Sequence, residues 1–129
     1  MRKQSLTIPG TLPDLNAVLT AAKRHWSRYA RQKKHFTHTV ALLARTNRLQ
    51  KVKNPVAIRF IWITKDQRKD PDNLAAGGTK VVLDGLVEAG ILPDDSRRWI
   101  HKLTHQFPEP DRKNPRTIIE LEELSPQAH

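Results

Sequence analysis

The sequence has no cysteine, a single methionine and only 5 % aromatic residues. Without cysteine, disulfides, zinc–thiolate sites and a cysteine nucleophile are excluded, which fits a reducing compartment. No apolar run approaches the roughly 20 residues needed to span a bilayer, and the N-terminus lacks the apolar core of a signal peptide. We therefore expect a cytoplasmic protein with no membrane partner.

Positive charge dominates the composition. The 23 lysines and arginines exceed the 13 aspartates and glutamates, which gives a formal net charge of +10 at pH 7. A domain this basic is typical of proteins that bind a polyanion, most simply nucleic acid. The alternatives are a basic protein without a specific partner, or one that sits on ribosomes or membranes. The length of 129 residues predicts one domain over residues 1–129, with a frayed tail at 125–129.

The spacing of apolar residues predicts alternating strands and helices. Strands are predicted over residues 3–8, 56–63, 99–107 and 117–123. Helices are predicted over residues 15–19, 29–49 and 74–89, although Gly77 and Gly78 indicate that the last is regular only from Thr79. Gly90 is expected to cap that helix. The order β-α-α-β-α-β-β predicts an α/β (α+β) fold, with helices packed on one mixed sheet of about four strands.

Carboxylates cluster within this basic chain, at Asp70 and Asp72 and again at Asp94 and Asp95. Neighbouring acids repel unless a cation neutralises them. Mg²⁺ prefers such hard oxygen ligands together with water and phosphate, and alternate residues at a strand end can direct two carboxylates to one point. Lys80, between the pairs, suits neutralisation of a phosphate in a transition state. The pattern favours a Mg²⁺ site that cleaves nucleic acid.

Each of these residues also has an ordinary structural interpretation. Asp72 suits a helix N-cap, and Asp94 and Asp95 suit a turn. Lys80 and Asp84 have the spacing of a surface ion pair, which contributes about 0.3 kcal/mol. The residues taken one at a time leave both interpretations open.

The combination of these motifs is more specific than any one of them. Asp-Pro-Asp-Asn at 70–73 is followed in order by Lys80, Asp84 and Asp-Asp-Ser at 94–96. Together with residues 12–16, 27–30 and 113–116, these segments resemble the RusA family of Holliday-junction resolvases, most of all its phage-type members. The resemblance covers nearly the whole chain.

The resemblance implies a crossover junction endodeoxyribonuclease. Such an enzyme is a Mg²⁺-dependent homodimer, with Mn²⁺ as a substitute ion, that resolves four-way DNA junctions by paired symmetric nicks in recombination and repair. It implies metal-binding and catalytic roles for Asp70, Asp72 and Asp95, with Asp94 as the substitute ligand, and a catalytic role for Lys80.

Two departures from the family pattern concern basic residues. Lys69 precedes the first acid where arginine is common, so bidentate contact with phosphate is lost. The interval from Asp72 to Lys80 is longer than in the shortest family members, as is usual in phage-type ones.

Candidate phosphate contacts lie in the basic segment 20–35 and beside the acids. They are Arg28, Arg31, Lys33, Arg68, Lys69, Arg97, Arg98 and Lys102. Each of these residues, taken alone, is also typical of a solvated charge on the surface. Lys69 and Arg97 are favoured because they neighbour the acids.

Chain length bears on where the acids meet. The helix between Asp72 and Asp95 carries the chain about 16–24 Å away, and residues 90–94 span at most about 18 Å when extended. A catalytic site formed by a single chain remains an alternative. We expect instead that Asp70 and Asp72 come from one subunit of a two-fold homodimer and Asp95 from the other.

Two other functions remain open from the residues. One is a non-catalytic, basic DNA-binding or regulatory protein whose acids are caps and turns. The other is a metal nuclease that acts on RNA, flaps or other branched nucleic acids.

Overall fold

Strands and helices alternate in the computed structural model, which describes residues 2–10, 26–67 and 71–124. The side chains at 26–30, 32, 72–74 and 76 are outside this description. The elements are β1 (Lys3–Pro9), α1 (Trp26–Thr46), β2 (Val56–Ile63), α2 (Pro71–Glu88), β3 (Ile100–Gln106) and β4 (Arg116–Glu123). The helix predicted at 15–19 and the tail at 125–129 lie outside the described residues.

The four strands form one mixed sheet in the order β1-β4-β2-β3. Strand β4 pairs antiparallel with both β1 and β2, whereas β2 and β3 are parallel. A parallel pair needs a long crossover, and residues 64–99, which include α2, supply it. The mixed four-stranded sheet with two described helices confirms the predicted α+β class.

The core lies between one face of the sheet and the two helices. Alternate residues of β2, such as Ile58, Phe60 and Trp62, are at most 2 % exposed, as the period of two in a half-covered strand requires. Helices α1 and α2 contribute Val40 and Leu86, which are completely buried. One apolar cluster therefore joins both layers.

Helix α2 begins at Pro71, so the prediction of a regular start at Thr79 is wrong. Proline suits the first helical position because its missing N–H would have no partner there. Gly77 and Gly78 are buried within the helix. Packing of the helix's apolar residues, among them Val82 and Leu86, offsets a propensity cost of about 1 kcal/mol for each glycine. Gly90, at φ +79°, follows the helix end as predicted.

The helices come unusually close at Gly85 of α2. A Cβ atom built there would lie 2.6 Å from Cβ and Cγ1 of Val40 and 3.0 Å from the carbonyl oxygen of Thr37 on α1. The first two distances are well inside van der Waals contact, and the neighbours belong to a packed core. Glycine is therefore required at this crossing for steric reasons.

Replacing Gly85 with alanine should lower the free energy of unfolding by about 1–3 kcal/mol, because the added methyl forces the helices apart. Urea denaturation followed by circular dichroism measures this. At a helical position with room for a methyl group, replacing glycine with alanine instead raises the free energy of unfolding by about 0.5–1 kcal/mol. A stabilised Gly85→Ala variant would therefore contradict the close approach.

A buried carboxylate secures the start of the chain. Glu123, 5 % exposed, accepts hydrogen bonds from Nε of Arg2 and from the backbone N–H groups of Lys53 and Asn54. Burial alone would raise the pKa of Glu123, but these hydrogen bonds outweigh it and lower the pKa below 4.5. The ionised form is therefore the one that the fold stabilises.

Replacing Glu123 with glutamine should cost about 2 kcal/mol at pH 7, because hydrogen bonds to a charged acceptor are lost. Since the folded pKa lies below the unfolded one, this contribution is full above about pH 4.5 and is lost as the pH falls through the lowered pKa. Urea unfolding at several pH values measures the difference between wild type and variant.

Glu122→Gln, one residue earlier on the same strand and only partly buried, is the matched control and should change stability by less than about 0.5 kcal/mol. A Glu123→Gln penalty that persisted unchanged at pH 3 would contradict the assignment.

Candidate functional site

Lys80 lies at the centre of a group of charged side chains beside α2. Its Nζ donates to Oδ2 of Asp95 at 2.9 Å and lies 3.0 Å from Oδ1 of Asp84, one turn further along the helix. The contact joins residues 15 positions apart. Asp95, and after it Asp84, raises the pKa of Lys80 above its ordinary value. The ammonium group is therefore fixed in its charged form.

The loop after α2 brings Asp95 to this position. The N–H of Gly90 bonds to the carbonyl of Val87, and the N–H of Ile91 reaches back to Leu86, which is the hydrogen-bond pattern of a glycine-capped helix end. Ile91 and Leu92 are then buried in the core. These bonds reverse the chain, so that the residues after Leu92 run back along α2 towards Lys80.

Asp94 has a different role from its neighbour. Its Oδ1 accepts a hydrogen bond from the backbone N–H of Ser96 at 2.8 Å. Hydrogen bonds from the Ser96 hydroxyl, and then from this N–H, lower the pKa of Asp94. Asp94 thus shapes the turn, as one sequence interpretation proposed, and that turn presents Asp95 to Lys80.

Helix α1 contributes one further charge. Nζ of Lys33 lies 3.9 Å from Oδ2 of Asp84. Lys33, Asp84, Lys80 and Asp95 therefore form a chain of alternating charges that extends from α1 across α2 to the following loop. We refer to these four residues as the Lys80 cluster.

The first acidic pair is only partly described. Asp70 lies outside the described residues, as do Arg68 and Lys69, and the side chain of Asp72 is not described. The backbone places Asp72 in the first turn of α2, whereas β2 already ends at Ile63. The expectation that Asp72 sits at a strand end is therefore wrong. At about 1.5 Å per residue, the helix rises about 12 Å from Asp72 to Lys80.

The predicted phosphate contacts fall on two sides of the molecule. Arg97 and Arg98 are exposed on the loop that carries Asp95, and Arg31 is exposed on α1. The side chain of Arg28 is not described. Lys102 pairs with Ala57 in the sheet register and lines a shallow depression with Arg59 and Glu120. It therefore lies on the sheet face away from the helices and from Lys80.

The carboxylate oxygens of the Lys80 cluster supply only part of what a site for a hard cation requires. The described residues contain no group of three or more histidine, aspartate or glutamate side chains that could bind a metal. Asp84 has one oxygen near each lysine. Asp95 uses only Oδ2 among the described contacts, which leaves Oδ1 for a cation. Asp95 therefore fits as one ligand of a site that needs further carboxylates.

Asp84 and its link to Lys33 were not among the predicted site residues. The sequence carried a signal for the first contact, because Lys80 and Asp84 are four apart on a helix and can pair. The Lys33 contact had no such signal, since it depends on how α1 crosses α2.

No protein-family model and no curated protein matches this sequence. The resemblance to RusA resolvases therefore stays a prediction that rests on the motifs.

Neither of the helices described in the structure is long and apolar enough to cross a membrane.

Proposed function

We propose that this protein is a Mg²⁺-dependent endonuclease that resolves four-way DNA junctions by paired symmetric nicks. The observation that carries the proposal is the 2.9 Å contact between Lys80 and Asp95. The family resemblance implies catalytic roles for both of these residues, which are 15 positions apart in sequence. The net charge of +10 supports a nucleic-acid substrate.

Lys80 is proposed to stabilise negative charge on the scissile phosphate. Its ammonium is anchored by two carboxylates, and the Lys80 side chain is still about half exposed, so a phosphate oxygen can approach it. The raised pKa keeps it protonated at any physiological pH. A fixed positive charge placed where negative charge develops lowers the barrier without reorganisation during the reaction.

Asp95 would hold Mg²⁺ together with Asp70 and Asp72, and its Oδ1 makes none of the described contacts. Bound Mg²⁺, or Mn²⁺ in its place, would lower the pKa of a coordinated water and polarise the phosphodiester. Lys80 keeps Asp95 oriented through the other oxygen, Oδ2. The carboxylate is thereby preorganised before any ion arrives.

Exposed arginines beside the Lys80 cluster are proposed to position the DNA. Arg97 and Arg98 follow Asp95 by two and three residues on the same loop, and both are exposed. Several phosphate contacts of this kind make binding fall steeply as salt rises.

A homodimer is proposed to complete each site. Asp95 is fixed beside Lys80, and Lys80 lies about 12 Å along α2 from Asp72. The acids of one chain are thus separated by about two helical turns of backbone. A two-fold partner that supplies the missing carboxylate would also match the symmetry of a junction cut on opposed strands.

Purified protein should nick a synthetic four-way junction symmetrically in the presence of Mg²⁺ and should leave it intact with EDTA. Asp72→Asn, Asp95→Asn and Lys80→Ala should each reduce nicking at least about 100-fold, because each removes a ligand or a charge needed in the transition state. Asp94→Asn should retain much more activity, since Asp94 serves the turn. Gel analysis of end-labelled junctions measures all four variants.

Junction binding in Ca²⁺ should change little in these variants, which separates loss of chemistry from loss of binding. Wild-type protein that binds the junction with Mg²⁺ or Mn²⁺ but never cuts it would overturn the proposal. Linear duplex, flap and RNA competitors test the substrate class in the same assay.

Mixing two inactive variants tests the shared site. Asp70→Asn and Asp95→Asn subunits, unfolded and refolded together, should recover nicking, because half of the mixed dimers' sites contain only intact residues. Each variant refolded alone is the control. If the mixture stays as inactive as its components, although mixed dimers are present by mass spectrometry, each site lies within one chain.

A non-catalytic DNA-binding protein is the second candidate. The observation that favours it is the pairing of Asp84 and Asp95 with lysines, which balances their charge without a metal. In that case the junction would be bound equally well with Mg²⁺ and with EDTA, and it would be nicked in neither.

A further inference from the structure

We propose that Asp84 is the positioning residue that fixes Lys80 against Asp95, an assignment that rests on the proposed nuclease function. Asp84 is proposed to touch neither substrate nor metal. It acts through Lys80, and Lys33 in turn orients Asp84 from the other helix.

The two carboxylates of the Lys80 cluster are engaged differently. Asp84 has Oδ1 at 3.0 Å from Lys80 and Oδ2 at 3.9 Å from Lys33, so both of its oxygens face a lysine. Asp95 engages a single oxygen among the described contacts. The side chain of Asp84 is also less exposed, at 28 % against 40 % for Asp95. Asp84 is therefore placed to hold Lys80 in position, whereas Asp95 keeps one oxygen available to bind a cation.

Lys80 needs such a support because its side chain is long and about half exposed. A free lysine chain samples many rotamers, and fixing it costs conformational entropy. If Asp95 were the sole anchor, the ammonium would move together with this exposed loop residue. The second anchor comes from α2 itself, four residues away, where the backbone is rigid.

The position of Asp84 is itself fixed by the helix crossing. Asp84 immediately precedes Gly85, where the backbone of α2 lies against Val40 and Thr37 of α1. That contact sets the separation across which Lys33 reaches Oδ2 of Asp84. The rotamer of Asp84 is thus constrained from both helices.

The same helix pair provides a matched control. Glu88 lies one turn after Asp84 on α2, and its Oε2 is 2.6 Å from Nδ1 of His38 on α1. Glu88→Gln therefore removes a carboxylate that also bridges α1 and α2 but has no contact with Lys80. It separates the positioning of Lys80 from a general loosening of the helix pair.

In steady-state junction nicking, Asp84→Asn should lower kcat about 10- to 100-fold, the cost of misplacing a catalytic group by about 1 Å. KM and junction affinity in Ca²⁺ should change by less than about twofold. Asp84→Glu should restore most of kcat, because the longer carboxylate still reaches Lys80 at this spacing. Glu88→Gln should stay close to wild type. An Asp84→Asn kcat within about twofold of wild type, or an equal loss in Glu88→Gln, would overturn the proposal.

A measurement without metal or DNA distinguishes failure of this proposal from failure of the nuclease function. The NMR order parameter of the Lys80 ammonium, recorded at one pH, should fall in Asp84→Asn and should be kept in Asp84→Glu and Glu88→Gln. An unchanged order parameter in Asp84→Asn would refute the positioning role even if the wild type cuts junctions. A reduced one would uphold Asp84 as the anchor of Lys80 even if no nuclease activity is found.

Discussion

The close approach of α1 and α2 at Gly85 is the constraint on which the candidate site depends. With no side chain at Gly85, Val40 of α1 packs directly against the backbone of α2. The neighbouring residue, Asp84, is then within reach of Lys33 on the other helix. A wider separation would leave that carboxylate with one lysine instead of two. The packing of the helices at Gly85 thus determines which lysines pair with Asp84 at the surface.

Local patterns were sufficient to predict most of the secondary structure. The β-branched run at Val56–Ile63 and the glycine after α2 each carry their conformational preference in a few residues. The start of α2 could not be predicted in this way, because tertiary packing of the helix offsets the low helix propensity of Gly77 and Gly78. The fixed position of Asp95 depends on the burial of Ile91 and Leu92. The polar environment of Glu123 brings together residues from opposite ends of the chain, and no local pattern reports such contacts.

The distribution of charge explains how acids persist in so basic a chain. Asp84 and Asp95 are each matched by a lysine, so the Lys80 cluster is neutral as a unit. Repulsion between the two carboxylates is offset by the ammonium between them. The excess positive charge is therefore carried by other residues, among them the exposed arginines that follow Asp95 on the loop.

The parallel pairing of β2 with β3 has a consequence for how the molecule acquires its site. Lys80, Asp84 and Asp95 all belong to the crossover, residues 64–99, that this pairing closes. Contacts between segments far apart in sequence form slowly, because the entropy of closing the loop must be overcome first. The ion pairs among Lys80, Asp84 and Asp95 join residues at most 15 positions apart, so they can form within the crossover, whereas the β2–β3 pairing and the contact from Lys33 on α1 require more distant segments to meet.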